Sequence, residues 1–525
     1  MGAAEPPTHA EPRQGYAAAA ASGSAWTTAQ TVLNKVATTA AGLVLARLLS
    51  PAEYGIAFFV VNVVVFAFVF PTFVMGDVLL AERHRFQRVA GAANVVMWIA
   101  AFAMFALLAA IAIPAENHDG RTGLALLIVV AATRPLADAV LAIPNARMRM
   151  DLEYRRIALI DGAVMLTATA SSLAMAYFGA GALALNVPPI AALALRGILY
   201  WRVVRGRIDL SVDRAEIRPI AQRFMVAGLG QYINNILLAL EIVVLGLVVS
   251  EAEVGLFVLA ATYAIQANTV IAGQLGAVLQ PIFAHVHDDP QRQVGGFLRA
   301  TRLLSAIAVP LSLVQAAIAI PLFSLLFPPK WTGSVAIFAV LSVAQAFVFV
   351  SAPSIALLKA QGRFRGYLKL QLTQLVVAAL GFVAAVLYAG PLALRAAAAI
   401  GLPTDEGAGG ALALACASAA VWAMFCPLAV WMGGRPAQLG KRAVLRLFFE
   451  PWVVTAPIAA LLVGGWIALR AVTSPTIADL VTIAVLAPIA VLGAIAACVW
   501  MRESTRADIS SILGRFMRRK AEARP

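Results

Sequence analysis

Apolar runs of about 20 residues or more recur fourteen times along this chain, at about 24–49, 55–81, 89–113, 123–143, 157–178, 181–203, 223–249, 254–282, 298–327, 334–358, 368–389, 408–432, 452–472 and 479–501. A run of that length crosses hydrocarbon as a helix, because no water is available to the backbone there and every N–H and C=O must be bonded within the segment. The polar remainder is divided into tails and loops of at most about 25 residues, too short for a separate soluble catalytic domain. With 62% of the 525 residues hydrophobic and 13% charged, a water-soluble globule is excluded. The chain reads as an all-α polytopic membrane protein with about fourteen transmembrane helices.

A formal charge of +14 on a soluble protein would suggest nucleic acid; here its distribution carries the information, and no nucleic-acid partner is expected. The odd-numbered connections hold about four cations (Arg121, Lys330, Arg395, Arg470), whereas the even connections and both tails hold about thirty-two of the 40, a positive-inside bias that puts both termini in the cytoplasm of a multi-pass inner-membrane protein. The tail from 502 places Ile509, Ile512, Leu513, Phe516 and Met517 at helical spacing among Arg515, Arg518, Arg519 and Lys520, the pattern of an amphipathic helix lying on anionic membrane lipid. Residues 1–23 read as a disordered cytoplasmic tail without a signal peptide.

Ser50-Pro-Ala-Glu-Tyr-Gly55 after the first run is echoed by Ser250-Glu-Ala-Glu-Val-Gly255 after the seventh, at an offset of 200 residues. Pro144 to Arg156 is likewise echoed by Pro353 to Arg365. Six helices separate each pair, so the repeat is parallel in the membrane. It predicts a six-helix bundle over 24–203, a cytoplasmic linker over 204–222 and a second bundle over 223–432. A basic loop with two extra helices over 433–501 and the basic tail 502–525 complete the chain. A cavity between two lobes, as in a transporter, is the natural consequence.

Ionisable side chains inside hydrocarbon are costly and by default face a bundle interior or a wet cavity. Lys35 lies halfway along the first run beside Asn34, Arg134 and Asp138 stand at i and i+4 in the fourth, and Glu241 lies near Asn234 in the seventh. Arg196 and Arg47 add positive charge. Lys35, Arg47, Arg134, Arg196, Asn34 and Asn234 are the candidate lining of a cavity for an anionic phosphate or uronic-acid sugar, and Asp138 and Glu241 are candidates for coupling to a proton or sodium gradient. The blander alternatives stand beside these: Arg134 and Asp138 as a structural pair, Arg196 and Arg47 snorkelling to the interfaces.

Enzyme motifs are lacking. Gly434 to Arg442 resembles a phosphate loop but has five residues between its glycines and no Ser/Thr after Lys441, so it fails the nucleotide-binding pattern. Cys416, Cys426 and Cys498 lie in apolar runs and read as packing residues. His285-Val-His287-Asp288-Asp289 is the one histidine cluster, read as a solvated turn rather than a metal site. No catalytic residue, metal or cofactor is expected.

Gly42-Leu-Val-Leu-Ala-Arg47-Leu-Leu-Ser-Pro51-Ala-Glu53-Tyr54-Gly55 closely resembles the first-helix signature of Wzx-type polysaccharide flippases of the multidrug/oligosaccharidyl-lipid/polysaccharide (MOP) exporter superfamily. Pro144-Asn-Ala-Arg147-Met-Arg149-Met-Asp-Leu-Glu-Tyr154 is similar to that family's fourth-to-fifth-helix loop, with a substitution before the basic pair. The resemblance implies a two-lobed MOP/MATE-like helical fold that flips undecaprenyl-diphosphate-linked oligosaccharides for exopolysaccharide, O-antigen (lipopolysaccharide) or capsule assembly, with a lipid-linked oligosaccharide as substrate and a polysaccharide polymerase and chain-length proteins as partners. The rival readings are a cation-coupled multidrug antiporter of the same superfamily, a membrane glycosyltransferase or polymerase, and a scaffold for the synthesis machinery.

Overall fold

The computed structural model describes residues 13–67, 72–119, 123–285, 290–361, 363–435 and 439–501. The amphipathic segment 502–525 and the cluster from His285 to Asp289 lie outside the residues or side chains described, as does the Asn234 side chain. Among the described residues all regular structure is helical. The chain forms two compact units, Met1–Ala239 and Leu240–Pro525. The first holds α1 (Arg13–Leu48), α2 (Pro51–Ala67), α3 (Thr72–Ala81), α4 (Phe86–Asp119), α5 (Leu124–Ala132), α6 (Arg134–Met150), α7 (Tyr154–Tyr177), α8 (Leu183–Val204) and most of α9 (Arg214–Val248). The second holds α10 (Glu251–His285), α11 (Pro290–Ala317), α12 (Ala319–Leu326), α13 (Ser334–Ala360), α14 (Phe364–Tyr388), α15 (Gly390–Ala399), α16 (Gly409–Gly434), α17 (Lys441–Val472), α18 (Pro475–Val481) and α19 (Ala487–Met501).

Among the described residues ten helices are long and apolar enough to cross a bilayer, with shorter apolar helices at Pro51–Phe66 and Asn235–Val248. The fourteen runs do not map one-to-one onto unbroken helices. The second covers α2 and α3, the ninth is interrupted at Ile318, and the last joins α18 to α19 through a π-helical stretch, Thr482–Leu486.

Two boundaries differ from the sequence reading. Residues 13–23, expected as disordered tail, belong to α1; the run Ala17–Ala21 has the highest intrinsic helix propensity of any residue type. The linker expected over 204–222 is helical from Arg214, where Asp213 Oδ1 accepts the Ala215 N–H at 3.0 Å as a helix N-cap does. Ile220 and Phe224 of this helix are buried with Val74, Phe86, Val89 and Ile143, which is why the first unit extends to Ala239 rather than ending at 203.

The non-helical part of the linker is strapped to α4. Gln87 Nε2 donates to the Arg207 carbonyl at 2.7 Å and Gln87 Oε1 accepts the Asp209 N–H at 2.8 Å. Gly91 lets the strap approach: a Cβ there would stand 2.2 Å from the Ser211 carbonyl oxygen. Arg207 also donates to Glu153, in the turn between α6 and α7, at 2.6 Å. Partial burial pushes the Glu153 carboxyl up, but the hydrogen bonds and charges of Arg207 and Arg156 more than offset this and hold it below its usual value.

Prolines inside helices free the carbonyl four residues earlier, and in hydrocarbon a side chain of a neighbouring helix is one source of the missing donor. Pro144 frees the Val140 carbonyl, which accepts the Trp201 indole N–H at 2.8 Å. Pro451 frees the Leu447 carbonyl, which accepts the Ser305 hydroxyl. The repeated Ser-x-x-Glu motif differs in use: Glu53 accepts the Ser50 N–H at 2.7 Å in a capping box, whereas Glu253 accepts the N–H groups of Gly410 and Ala411, at the start of α16, at 2.7 and 3.1 Å.

A charged cavity in the first unit as the candidate functional site

Thr133 interrupts the fourth apolar run because Pro135 has no N–H for the Ala131 carbonyl; Thr133 Oγ1 turns back to the Val130 carbonyl at 2.6 Å. The helix resumes as α6, and Arg134, Asp138, Leu141, Asn145 and Arg149 succeed one another at steps of four, three, four and four residues, which puts them on one face. That face lines a cavity of about 490 Å³. Opposite it stand Ile157 and Asp161 of α7, and Leu193, Arg196 and Tyr200 of α8, again at helical spacing; Val64 and Val65 of α2 and Asn235 of α9 complete the lining.

α8 reaches α6 closely because of Gly197, whose added Cβ would meet Val140 Cγ1 at 2.9 Å and the Leu141 amide nitrogen at 3.1 Å. The Tyr200 hydroxyl donates to Asp161 Oδ1 at 2.7 Å, and Arg196 Nη1 lies 3.7 Å from Asp161 Oδ2. Arg196 Nε is buried with no hydrogen-bond partner among the described residues. Asp138 is 8% exposed, while Arg134, one turn away, is exposed. Three guanidinium groups and two carboxylates therefore share one cavity, a formal excess of one positive charge. Arg147, adjacent in the same basic run, points elsewhere, pairing with Asp151 at 3.0 Å and lying over the Phe86 ring.

Of the residues singled out from the sequence, Arg134, Arg196 and Asp138 come together here. Asn235, not the singled-out Asn234, is the described α9 residue in the lining. Lys35 and Asn34 are half-buried on α1 and are not part of this lining; Asn34 Oδ1 is buried with no hydrogen-bond partner among the described residues. Arg47 is exposed in the last turn of α1. Glu241 belongs to the second unit, half-buried beside Ser418 of α16. Sequence reasoning missed Asn145, Arg149, Asp161 and Tyr200. The first two continue the α6 stripe, a signal present in the sequence, and the others are assembled only by packing. Among the described residues no group of three or more His, Cys, Asp or Glu side chains could hold a metal.

A many-helix bundle with a charged cavity among apolar helices defines a multi-pass membrane protein with the build of a transporter. Residues 44–336, more than half of the chain, match the model of the polysaccharide biosynthesis protein family, and the chain belongs to that family. The fold is similar to that of lipid II flippase MurJ in its inward closed conformation, with a TM-score of 0.66 at 10% identity over 90% of this chain and 99% of that one. It is also similar to an inward-facing multidrug resistance MATE family transporter of the MOP superfamily, with a TM-score of 0.57 at 12% identity over 77% of this chain and 96% of the other. No curated protein sequence matches this chain.

Proposed function

We propose that this protein is a flippase that moves undecaprenyl-diphosphate-linked oligosaccharide repeat units across the bacterial inner membrane for exopolysaccharide, O-antigen or capsule assembly. Membership of the polysaccharide biosynthesis protein family and the likeness of the fold to flippases and MATE transporters support this reading, and in it both termini are cytoplasmic, as the positive-inside charge bias favours. The observation that carries the reading is the cavity of Arg134, Arg149 and Arg196. Guanidinium groups bind phosphate oxygens in pairs through planar forks, and a cavity of about 490 Å³ is the size of a small-molecule site. It suits the charged diphosphate end of the cargo, not a whole glycan. Asp161, held by the Tyr200 hydroxyl, pairs with one end of the Arg196 fork, and the part of the guanidinium that faces the cavity is left for the cargo. Asp138 in the same cavity, and Glu241 in the second unit, are the carboxylates we assign to proton or sodium coupling. Lys35, Arg47, Asn34 and Asn234 belong, in this reading, to other stations on the transport path. The protein works by transport rather than catalysis, delivering its cargo to a polymerase and chain-length proteins.

The test is extraction of polyprenyl-linked sugars from cells lacking the gene, complemented by the intact chain or by Arg196→Gln. A complete repeat unit should accumulate on its lipid and be cleared by the intact chain alone. Unchanged surface polysaccharide with no accumulation would overturn the reading. Altered sensitivity to cationic drugs in those cells would favour the multidrug antiporter, for which the two cavity carboxylates would be the binding groups.

A further inference from the structure

At the cation-rich ends of α16 and α17, in the second unit, two positive side chains converge on one indole and a third reaches the next residue of the helix. The Arg435 guanidinium lies over the Trp431 ring at 4.4 Å and the Lys441 ammonium at 5.8 Å. From the start of α14, Arg363 Nη1 donates to the Met432 carbonyl at 2.7 Å, one residue along α16. Cation–π attraction offsets only part of the repulsion among like charges held this close, and among the described residues no carboxylate pairs with Arg435 or Lys441. A site that gathers cations without an internal anion is complementary to an external one.

The surface beside the cluster distinguishes the source of that anion. Arg442, Leu445, Phe449 and Val453 recur at three- or four-residue steps on α17 and form one stripe. All are exposed, with Leu445, Phe449 and Val453 at 48%, 45% and 71%. The stripe begins cationic and becomes apolar along the helix, the profile of a headgroup followed by an acyl chain. A soluble phosphate would have no use for the apolar part. We propose that this end of α16 and α17 is a binding site for an anionic phospholipid, with the phosphodiester seated between Arg435 and Lys441 beside Trp431 and an acyl chain lying along Leu445, Phe449 and Val453. Positive-inside charge bias assigns this end to the cytoplasmic leaflet, where such lipids supply negative surface potential.

The test is native mass spectrometry of the full-length protein, delipidated and titrated with phosphatidylglycerol, phosphatidylethanolamine or inorganic phosphate. The unmodified chain should retain phosphatidylglycerol over phosphatidylethanolamine. Each cation near a membrane surface is worth about a fivefold factor, so R435Q/K441Q should weaken phosphatidylglycerol binding about thirtyfold. The charge-preserving R435K/K441R should retain it, which separates loss of the site from loss of the fold. F449S should weaken phosphatidylglycerol binding while leaving competition by inorganic phosphate unchanged. Equal retention of both lipids, or equal binding by R435Q/K441Q, would overturn the proposal. So would displacement of the lipid by inorganic phosphate with no effect of F449S, which would mark a free-anion site instead.

Discussion

If the first-unit cavity binds a diphosphate, removing either member of the Asp161–Arg196 pair must change affinity in opposite directions. The lining carries Arg134, Arg149 and Arg196 against Asp138 and Asp161, so Asp161→Asn raises its formal charge by one and Arg196→Gln lowers it by one. A sphere of the observed volume, about 490 Å³, has a radius of about 5 Å, which sets the distance from a wall charge to a centred ligand. At that distance one unit charge and a dianion interact by about 1.7 kcal/mol even at the dielectric of water, a factor of roughly fifteen in affinity. The less polar walls make this a floor. Binding of undecaprenyl diphosphate to the purified protein in nanodiscs should therefore weaken at least about fifteenfold in Arg196→Gln and tighten in Asp161→Asn, whose transport rate falls because release slows. Tyr200→Phe removes the hydroxyl that donates to Asp161 at 2.7 Å without altering charge and should shift affinity far less than either. A purely structural pair would behave differently, both substitutions costing similar stability and weakening binding together. That result would refute the assignment of this cavity to an anionic cargo.

Gly91→Ala drives a Cβ to within 2.2 Å of the Ser211 carbonyl oxygen and 2.8 Å of the Leu210 carbonyl oxygen, both backbone. Such overpacking costs about 1–3 kcal/mol, visible as a lowered unfolding midpoint in detergent; an unchanged midpoint would mean the linker strap is not seated there. Trp201→Phe leaves the Val140 carbonyl without a donor and should cost about 1–3 kcal/mol, but less in a Pro144→Ala background, where residue 144 regains the N–H that helical geometry aims at that carbonyl. Asp479→Ala removes the acceptor shared by Trp466 Nε1 at 2.7 Å, Arg470 Nη2 at 3.0 Å and Ser324 Oγ at 2.5 Å. Asp479 is 3% exposed, so the loss should be about 3 kcal/mol, and a midpoint unchanged from that of the intact chain would contradict it. Glu153 sits below its ordinary value of 4.5 in the folded protein. Its contribution is therefore complete above that value and disappears as pH falls through the lower folded value. A midpoint measured from pH 6 to 3 should show a shallower acid-side fall in Glu153→Gln, whereas a parallel curve would remove Glu153 from the strap.

The sequence reveals its helices because a bilayer permits little else, and it marks Arg134 and Asp138 because charges in mid-run have no easy route to water. Arg149 is less visible. It lies among Arg147, Arg155 and Arg156 in what reads as a cytoplasmic loop, yet α6 extends to Met150 and its face carries Arg149 inward while Arg147 pairs with Asp151. Asp161 looks like a solvated residue near a helix end until Tyr200, 39 residues later, donates to it. Depth alone suggests a cavity for Lys35, but depth does not tell which neighbour a helix face meets, and Lys35 is not part of the lining described here. The linker fails for the opposite reason. Its polar composition reads as a cytoplasmic linker and says nothing of what it rests on, whereas Gln87 and Gly91 on α4 offer it one hydrogen-bonding groove.

Pro144 marks the point at which spacing stops being informative and packing takes over. That it orphans the Val140 carbonyl can be worked out from spacing alone, since the residue four before a proline always loses its helical donor. Which group replaces that donor cannot be, because any neighbouring helix could offer one. Here it is Trp201, and the choice fixes the rotation of α8 about its axis. With the Trp201 indole held to α6, Tyr200, one residue earlier and so about 100° around the helix, turns toward Asp161, and Arg196, one turn before Tyr200, turns with it into the cavity. Gly197 then allows α8 to come close enough for these side chains to meet the α6 stripe. The hydrogen bond that repairs the kink is in this way also the one that aims the cationic wall of the cavity, so Trp201→Phe should weaken diphosphate binding as well as lower stability, although Trp201 is not part of the lining.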